Sequence, residues 1–318
     1  MVNGRSFRVV FFGTPGFAVP TLDRLLLSRH QVVSLVSQPD RPRGRGQKTT
    51  HGPAKVRALA AAIPVLQPTT LKDPAFLAAL AELKADLGVV AAYGKILPEA
   101  VLATPRRGMV NVHASLLPRY RGAAPVHRAI MAGERETGVT IMRVVKALDA
   151  GPMLAKVRRS IGADETSDKV EADLARLGAE LLVATLDRLA DGDVPETPQD
   201  HEAATYAHRL TKGDGLIDWS LPADHIHNLI RGLHPWPHAH TFLQGRRLIL
   251  LRSKASDEPA RSAAGTVIAA HGDHLRVAAG NGVVDILEMQ AEGKRPMAPR
   301  DFLSGHRLTP GDRFAARP

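Results

Sequence analysis

The sequence predicts an α/β protein, with a doubly wound sheet of parallel strands at its centre followed by a smaller β-barrel domain. Three observations predict it. Up to about residue 190, short apolar runs alternate with stretches of helical spacing. Those runs are apolar on both faces, as strands covered by helices on two sides require. Beyond a proline-broken stretch, short strands separated by turn signals take over, the pattern of a small barrel. The length of 318 residues agrees, since one hydrophobic core rarely organises so long a chain.

Residues 8–12 form a first apolar strand that ends in the turn Gly13-Thr14-Pro15-Gly16, and Leu22, Leu25, Leu26 and Leu27 supply the face of the helix after it. Arg5 and Arg8 before the apolar run faintly imitate a secretory leader, but Gly13, Pro15 and Gly16 interrupt it. Residues 32–36 read as a second buried strand, 55–62 as an alanine-rich helix, 63–66 as a short strand, 74–83 as a helix and 87–92 as a strand. A strand at 109–112, a helix at 126–132 and a strand at 139–145 continue the alternation, and 167–189 has the spacing of a long amphipathic helix. From Ala190 the run Asp191-Gly192-Asp193-Val194-Pro195-Glu196-Thr197-Pro198 has linker composition. The predicted division is a first domain at 1–190, a linker at 191–208 and a second domain at 209–318. After a helix at 225–233, the signals Gln244-Gly245, His271-Gly272-Asp273 and Gly280-Asn281-Gly282 separate four or five short strands. The five-stranded barrel that binds oligonucleotides, the OB-fold, is a candidate for this part.

Composition narrows the function classes. A hydrophobic content of 44% excludes a disordered chain. The absence of cysteine excludes disulfides, Cys-ligated zinc, thiol nucleophiles and iron–sulfur clusters, and suits a reducing compartment. No run approaches the roughly 20 apolar residues of a membrane span, so the expectation is a soluble, cytoplasmic protein. The formal net charge is +10, and it is concentrated. Through residue 208 there are 27 basic and 21 acidic residues, and between Asp40 and Arg57 lie Arg41, Arg43, Arg45, Lys48, Lys55 and Arg57 against Asp40 alone. Glycine and proline breaks between those charges exclude a regular helix. The segment reads as a flexible cationic loop suited to following phosphates, although charge alone also describes a solvated surface loop.

The strand at 109–112 runs into Asn111-Val112-His113. Residues two apart on a strand point to one side, so an amide and an imidazole face one place, at the strand end where open α/β sheets keep their ligand sites. Asp149, in the turn Asp149-Ala150-Gly151 out of the later strand, adds a carboxylate at a similar height. Without Cys or a G-x-S-x-G serine the trio is a poor nucleophilic triad but a workable set for proton transfer and oxyanion stabilisation. Such a set suits acyl transfer to an amine, whose α-amino form titrates near about 7.7 to 8.0. Taken alone, the pattern also admits His113 as a hydrogen-bonded core residue. Gly13-Thr14-Pro15-Gly16 lacks the G-x-G-x-x-G of a dinucleotide site and reads as a tight turn. His234-Pro235-Trp236-Pro237-His238-Ala239-His240 reads as a rigid turn rather than a metal cluster, because no carboxylate closes the set.

Ser115-Leu116-Leu117-Pro118, Arg121-Gly122 and Thr137-Gly138-Val139-Thr140 join Asn111, His113 and Asp149 into the pair NVHxSLLPxxRG and TGVT…DxG. That pair resembles the 10-formyltetrahydrofolate-dependent formyltransferases. Within them the chain is similar to the branch acting on initiator methionyl-tRNA, through PDRPxGRGxK, FxGTPxFA, AYGxILP and Pro235-Trp236-Pro237, and the likeness covers essentially the whole chain. The resemblance implies a Rossmann-like doubly wound catalytic domain with a C-terminal OB-like β-barrel domain that binds tRNA. It implies transfer of the formyl group of 10-formyltetrahydrofolate to the α-amino group of initiator methionyl-tRNA, by a monomer without metal or membrane association. By residue, it implies Asn111, His113 and Asp149 as catalytic and Ser115, Leu116, Leu117 and Pro118 as folate-contacting, with Tyr93, Gly94, Ile96 and Leu97 lining the pterin pocket. Arg41, Arg43, Gly44, Arg45, Gly46 and Lys48 become a wedge against the acceptor stem.

The chain departs from the family at Val144-Val145-Lys146-Ala147, where Met-Asp-x-Gly is expected, and at Pro152. A nucleotide-sugar or glycinamide-ribotide formyltransferase would share the first domain but need neither the basic segment nor the second domain. A noncatalytic RNA-binding protein would leave the Asn-His-Asp set without a reason. An NAD-dependent oxidoreductase would need the missing glycine pattern.

Overall fold

A computed structural model describes residues 5–43, 48–192 and 194–315, and the chain packs as two compact units. The first takes in residues up to Pro125, Thr137–Arg159 and Glu171–Ala207; the second takes Val126–Glu136, Ser160–Val170 and the chain from His208 onward.

The first unit is built on β1 (Arg8–Gly13), β2 (Gln31–Val36), β3 (Arg41–Arg43), β4 (Lys48–Thr50), β5 (Val65–Leu66), β6 (Leu87–Ala91), β7 (Met109–His113), β8 (Arg121–Gly122), β9 (Glu136–Arg143), β10 (Met153–Ser160) and β11 (Tyr206–Ala207). Seven of these form one sheet in the order β10-β9-β7-β6-β1-β2-β5. From β7 to β5 all neighbours are parallel, while β9 runs antiparallel to β7. Strand β1 shows why the core has two layers. Val10 and Phe12 pack into one apolar cluster with Val36, Tyr93 and Leu97, while Val9 and Phe11 on the other face are also fully buried. The parallel pairs are spanned by α1 (Ala18–Leu26), α2 (Pro53–Ala60), α3 (Pro74–Glu82) and α4 (Glu99–Leu102), followed along the chain by α5 (Pro125–Met131) and α6 (Ser167–Asp191). Helix α3 begins where its sequence dictates: Pro74 occupies the first turn and the Asp73 side chain accepts from the Ala75 N–H at 3.0 Å.

The second unit carries α7 (Ala223–Gly232), β12 (Ala239–Leu243), β13 (Arg246–Ser256), β14 (Val267–His271), β15 (His274–Ala278), β16 (Val283–Ala291), α8 (Pro299–Gly305) and β17 (Phe314–Ala315). The six strands make a curled antiparallel sheet in the order β14-β15-β16-β13-β12-β17, a half-barrel of OB-like form. Ile226 and Ile230 of α7 fill its concave side together with Trp219, which stacks on Phe314 and donates to Thr241 Oγ1 at 2.9 Å. Two earlier segments belong here by packing. Buried Arg231 donates to the carbonyls of Gly162 and Glu165, and Arg128 pairs with Asp214 at 2.7 Å.

Three local expectations are corrected. The basic segment is not a flexible loop at its base: β3 and β4 pair antiparallel, Arg41 opposite Thr50 and Arg43 opposite Lys48. A two-stranded ribbon has two free edges, so Pro42 costs it no required donor. The expectations at Gly44, Arg45 and Gly46 lie outside the described residues. Strand β10 is unanticipated, because its charged alternation is that of a half-exposed edge rather than a buried strand. The strand expected at 139–145 runs at 136–143 and opposite to β7, which changes how Asp149 reaches its place.

Candidate active site

Strands β1, β2, β6 and β7 all end on one edge of the sheet. Asn111 and His113 alternate on β7 and so share a face. The Asn111 carboxamide is half-buried and makes no hydrogen bond among the described residues. The His113 side chain is 6% exposed, and its Nε2 donates to the Tyr120 carbonyl at 3.0 Å. A carbonyl only accepts, so this contact assigns the proton of the neutral ring to Nε2 and leaves Nδ1 bare. Nδ1 faces Asp149 Oδ2 at 3.7 Å, beyond hydrogen-bond reach.

Asp149 arrives by a route the strand pattern did not indicate. Because β9 is antiparallel to β7, its end at Arg143 pairs with Val110, near the start of β7. Residues 144–148 then bring the chain back to His113. The fold-back needs Gly151, where a Cβ would lie 2.0 Å from the Arg143 carbonyl oxygen. Asp149 itself sits at φ 47°, a left-handed conformation that Asp tolerates better than most residues. Its Oδ2 accepts from the Gly122 N–H at 2.8 Å. The imidazole is oriented instead by the carbonyl of Tyr120, which is also left-handed at φ 60°. Nothing in the sequence signals a backbone carbonyl, and that is why it was missed.

The stretch from Ser115 to Pro118 contributes mostly backbone. Ser115 is buried and donates to the Arg119 carbonyl at 2.6 Å, and Leu117 packs into a cluster with Met142 and Met153. Thr140 Oγ1 donates to the Ser115 carbonyl at 2.7 Å and accepts from the Leu117 N–H at 3.2 Å, while Lys156 donates to the Leu117 carbonyl at 2.6 Å. Gly138 lies under Leu116: a Cβ there would be 2.1 Å from the Val157 carbonyl oxygen and 2.5 Å from Leu116 Cδ2. The TGVT motif is therefore the floor beneath this stretch.

Tyr93 and Leu97 also turn inward. Tyr93 packs edge-on against Phe12, burial pushes its phenol up to about 12, and its carbonyl accepts from Gln38 Nε2 at 2.7 Å. Gly94 follows at φ 82°. Ile96 is 77% exposed, and Val145 and Leu148, on the turn before Asp149, are also exposed. Val144 packs against the cluster holding Tyr93 and Leu97, so the two turns adjoin. Exposed apolar side chains on two adjoining turns offer a surface on which a flat ring can lie.

At the root of the basic hairpin, Asp40 accepts from Lys55 at 2.6 Å, pairs with His51 at 2.8 Å and accepts from Gln67 Nε2 at 3.1 Å. The Lys55 ammonium, chiefly, holds this carboxyl well below the usual carboxylate range. Arg41 is exposed. Among the described residues no group of three or more His, Asp or Glu is placed to hold a metal ion, and no helix is long and apolar enough to cross a membrane.

Comparison with known proteins places both units. The formyl transferase family matches residues 7–186, and the formyl transferase C-terminal domain matches residues 209–307. The methionyl-tRNA formyltransferase of Citrifermentans bemidjiense is 47% identical over 306 residues, 96% of each chain, and that of Sorangium cellulosum is 46% identical over 96% of this chain and 98% of its own. Among solved structures, the N-formyltransferase of Helicobacter canadensis, in complex with folinic acid and dTDP-3-aminofucose, aligns with a TM-score of 0.68 at 17% identity, covering 88% of this chain and 98% of that one. HypX of Aquifex aeolicus, in complex with tetrahydrofolic acid, aligns with a TM-score of 0.64 at 17% identity over 93% of this chain, which spans 47% of that longer protein. At these identities the two structures share the fold.

Proposed function

The chain belongs to the formyl transferase family, and from that premise we infer that it transfers the formyl group of 10-formyltetrahydrofolate to the α-amino group of initiator methionyl-tRNA. The product is N-formylmethionyl-tRNA for translation initiation. The observation that carries this reading is identity of 46–47% to methionyl-tRNA formyltransferases over 96% of the chain, second unit included. The second unit alone does not choose the acceptor, since the N-formyltransferase in complex with dTDP-3-aminofucose also aligns over 88% of this chain; the level of identity does.

The folate supplies the formyl group, and the chain's residues do the rest. The flat ring lies against the exposed side chains of Ile96, Val145 and Leu148 and the backbone of 93–97 and 115–118. Asn111, whose carboxamide is unpartnered, donates to the formyl oxygen as it becomes negative during attack by the amine. His113 takes the amine proton at Nδ1, the bare nitrogen, and the nearby Asp149 carboxylate stabilises the resulting imidazolium. That proton leaves with the folate nitrogen as its bond to the formyl carbon breaks. Arg41, Arg43, Gly44, Arg45, Gly46 and Lys48 grip the acceptor stem, with residues 209–318 as a second tRNA-binding surface. The enzyme works as a cytoplasmic monomer.

The test is formyl transfer from 10-formyltetrahydrofolate to initiator methionyl-tRNA, a 3-amino sugar nucleotide and glycinamide ribotide in parallel. A kcat/KM greater for the tRNA by several orders of magnitude is expected, and preference for either small amine overturns the acceptor assignment.

A further inference from the structure

One side chain ties together the two turns that hold His113 and Asp149. Gln199 is buried. Its Nε2 donates to the carbonyl of Asp149 at 2.8 Å and to that of Gly151 at 2.7 Å. Its Oε1 accepts from Arg121 Nε at 3.1 Å and Arg121 Nη2 at 2.7 Å, and buried Arg121 directly follows Tyr120. A little further on, Thr205 Oγ1 accepts from the Tyr120 N–H at 2.8 Å, and its carbonyl accepts from the Arg121 N–H at 2.8 Å. Strand β11 then pairs with β8, fastening this part of the segment read as a linker to the first unit.

We propose that Gln199 is a positioning residue for formyl transfer, acting through Asp149, with Thr205 acting in the same way through Tyr120 and His113. The reason lies in what the turns must hold. Both Asp149 and Tyr120 are non-glycine residues in the left-handed region, a conformation that persists only where the surroundings over-determine it. The Asp149 turn presents the carbonyls of Asp149 and Gly151 inward, and an amide nitrogen with two hydrogens satisfies both. The Arg121 guanidinium needs an acceptor, and the amide oxygen of the same side chain supplies it. No other uncharged side chain of this size offers two donors and an acceptor together. A glutamate would keep the arginine but set its carboxylate against two carbonyl oxygens. The catalytic groups would remain while their placement relaxed, and displacement by about 1 Å can cost about 10²-fold in rate.

The proposal rests on the formyl-transfer reading, and its test is built so that the two can fail separately. Gln199→Glu is compared with the unaltered chain, and again in an Asp149→Asn background, using whichever acceptor the unaltered chain formylates fastest. Preference for a small amine then overturns the acceptor assignment without touching the comparison. Gln199→Glu is expected to lower kcat by about 10²-fold with KM for folate and acceptor little changed, but to cost less than about threefold once Asp149 is already Asn, because the two act on one group. Equal losses in both backgrounds, or a rise in KM at constant kcat, would overturn the role. Thr205 is exposed, so its substitution leaves the core packing in place and provides the check if Gln199→Glu does not fold. Thr205→Val should lower kcat by about tenfold, and Thr205→Ser, which keeps the acceptor for the Tyr120 N–H, should restore it. Equal rates for these two variants would overturn the brace.

Discussion

His113 and Asp149 are separated by 3.7 Å, too far for a hydrogen bond and close enough for a charge to act. Their substitutions should therefore separate chemistry from folding. His113→Ala is expected to lower kcat by about 10²- to 10⁴-fold, the usual worth of positioned proton transfer, with the circular dichroism spectrum unchanged; near-normal turnover would remove His113 from the mechanism. Asn111→Ala should lower kcat by about 10²- to 10³-fold, as expected of an oxyanion donor, with the folate KM nearly constant. If only the KM moved, Asn111 would be a binding residue. At this scale the sequence was most legible where spacing along one strand decides direction, as for Asn111 and His113. It was silent on Tyr120, whose part depends on a backbone dihedral rather than on its phenol.

The basic hairpin joins charge to a defined scaffold at the level of the element. Arg43, Arg45 and Lys48 should each contribute phosphate contacts, so replacing all three by Ala should weaken tRNA binding and make log affinity against log salt shallower by roughly 0.7–0.9 per contact. Superimposable salt series for the unaltered and triple-variant chains would reduce the hairpin to solvated surface. Its anchor titrates separately. The Asp40 carboxyl is depressed in the folded chain, mainly by Lys55. Its stabilising contribution is therefore complete above the unfolded carboxylate value of about 3.9 and is lost as pH falls below that value toward the folded one. Urea midpoints of the unaltered chain and Asp40→Asn should differ most near neutrality and converge in acid. A gap that widens in acid would contradict the anchor. Beneath the site, Gly138→Ala should cost at least about 2 kcal/mol, toward the upper part of the range for overpacking, because its Cβ meets the fixed Val157 carbonyl oxygen as well as the Leu116 side chain. A small shift in urea midpoint would show that the floor can yield.

At the scale of the whole molecule, the order of domains along the chain and the way the chain packs are different things. Residues 126–136 and 160–170 come from the first half of the sequence but pack with the unit that begins at His208. The Arg231 bonds to Gly162 and Glu165 and the Arg128–Asp214 pair hold them there. A chain ending at residue 208 would keep those segments and lose their partners. Such a fragment is expected to be less soluble, and to unfold at lower urea, than the full-length chain measured alongside it. Equal midpoints would show that the first unit needs nothing from the second.

By itself, the sequence determined the alternation that makes a doubly wound sheet, the strand that presents Asn111 and His113 together, and the basic segment between Asp40 and Arg57. Each is a local property of spacing, composition or charge. Only the tertiary structure decided the antiparallel course of β9, the return of the chain that brings Asp149 to His113, the Tyr120 carbonyl that fixes the imidazole, and the docking of Gln199 against turns that lie 50 and 78 residues away along the chain. It also turned Tyr93, Leu97, Ser115 and Leu117 into the packing, leaving Ile96, Val145 and Leu148 exposed. The physical reason is common to these cases: strand direction, left-handed turns and long-range hydrogen bonds depend on which segments meet, and a periodicity in one segment carries no information about its distant partner.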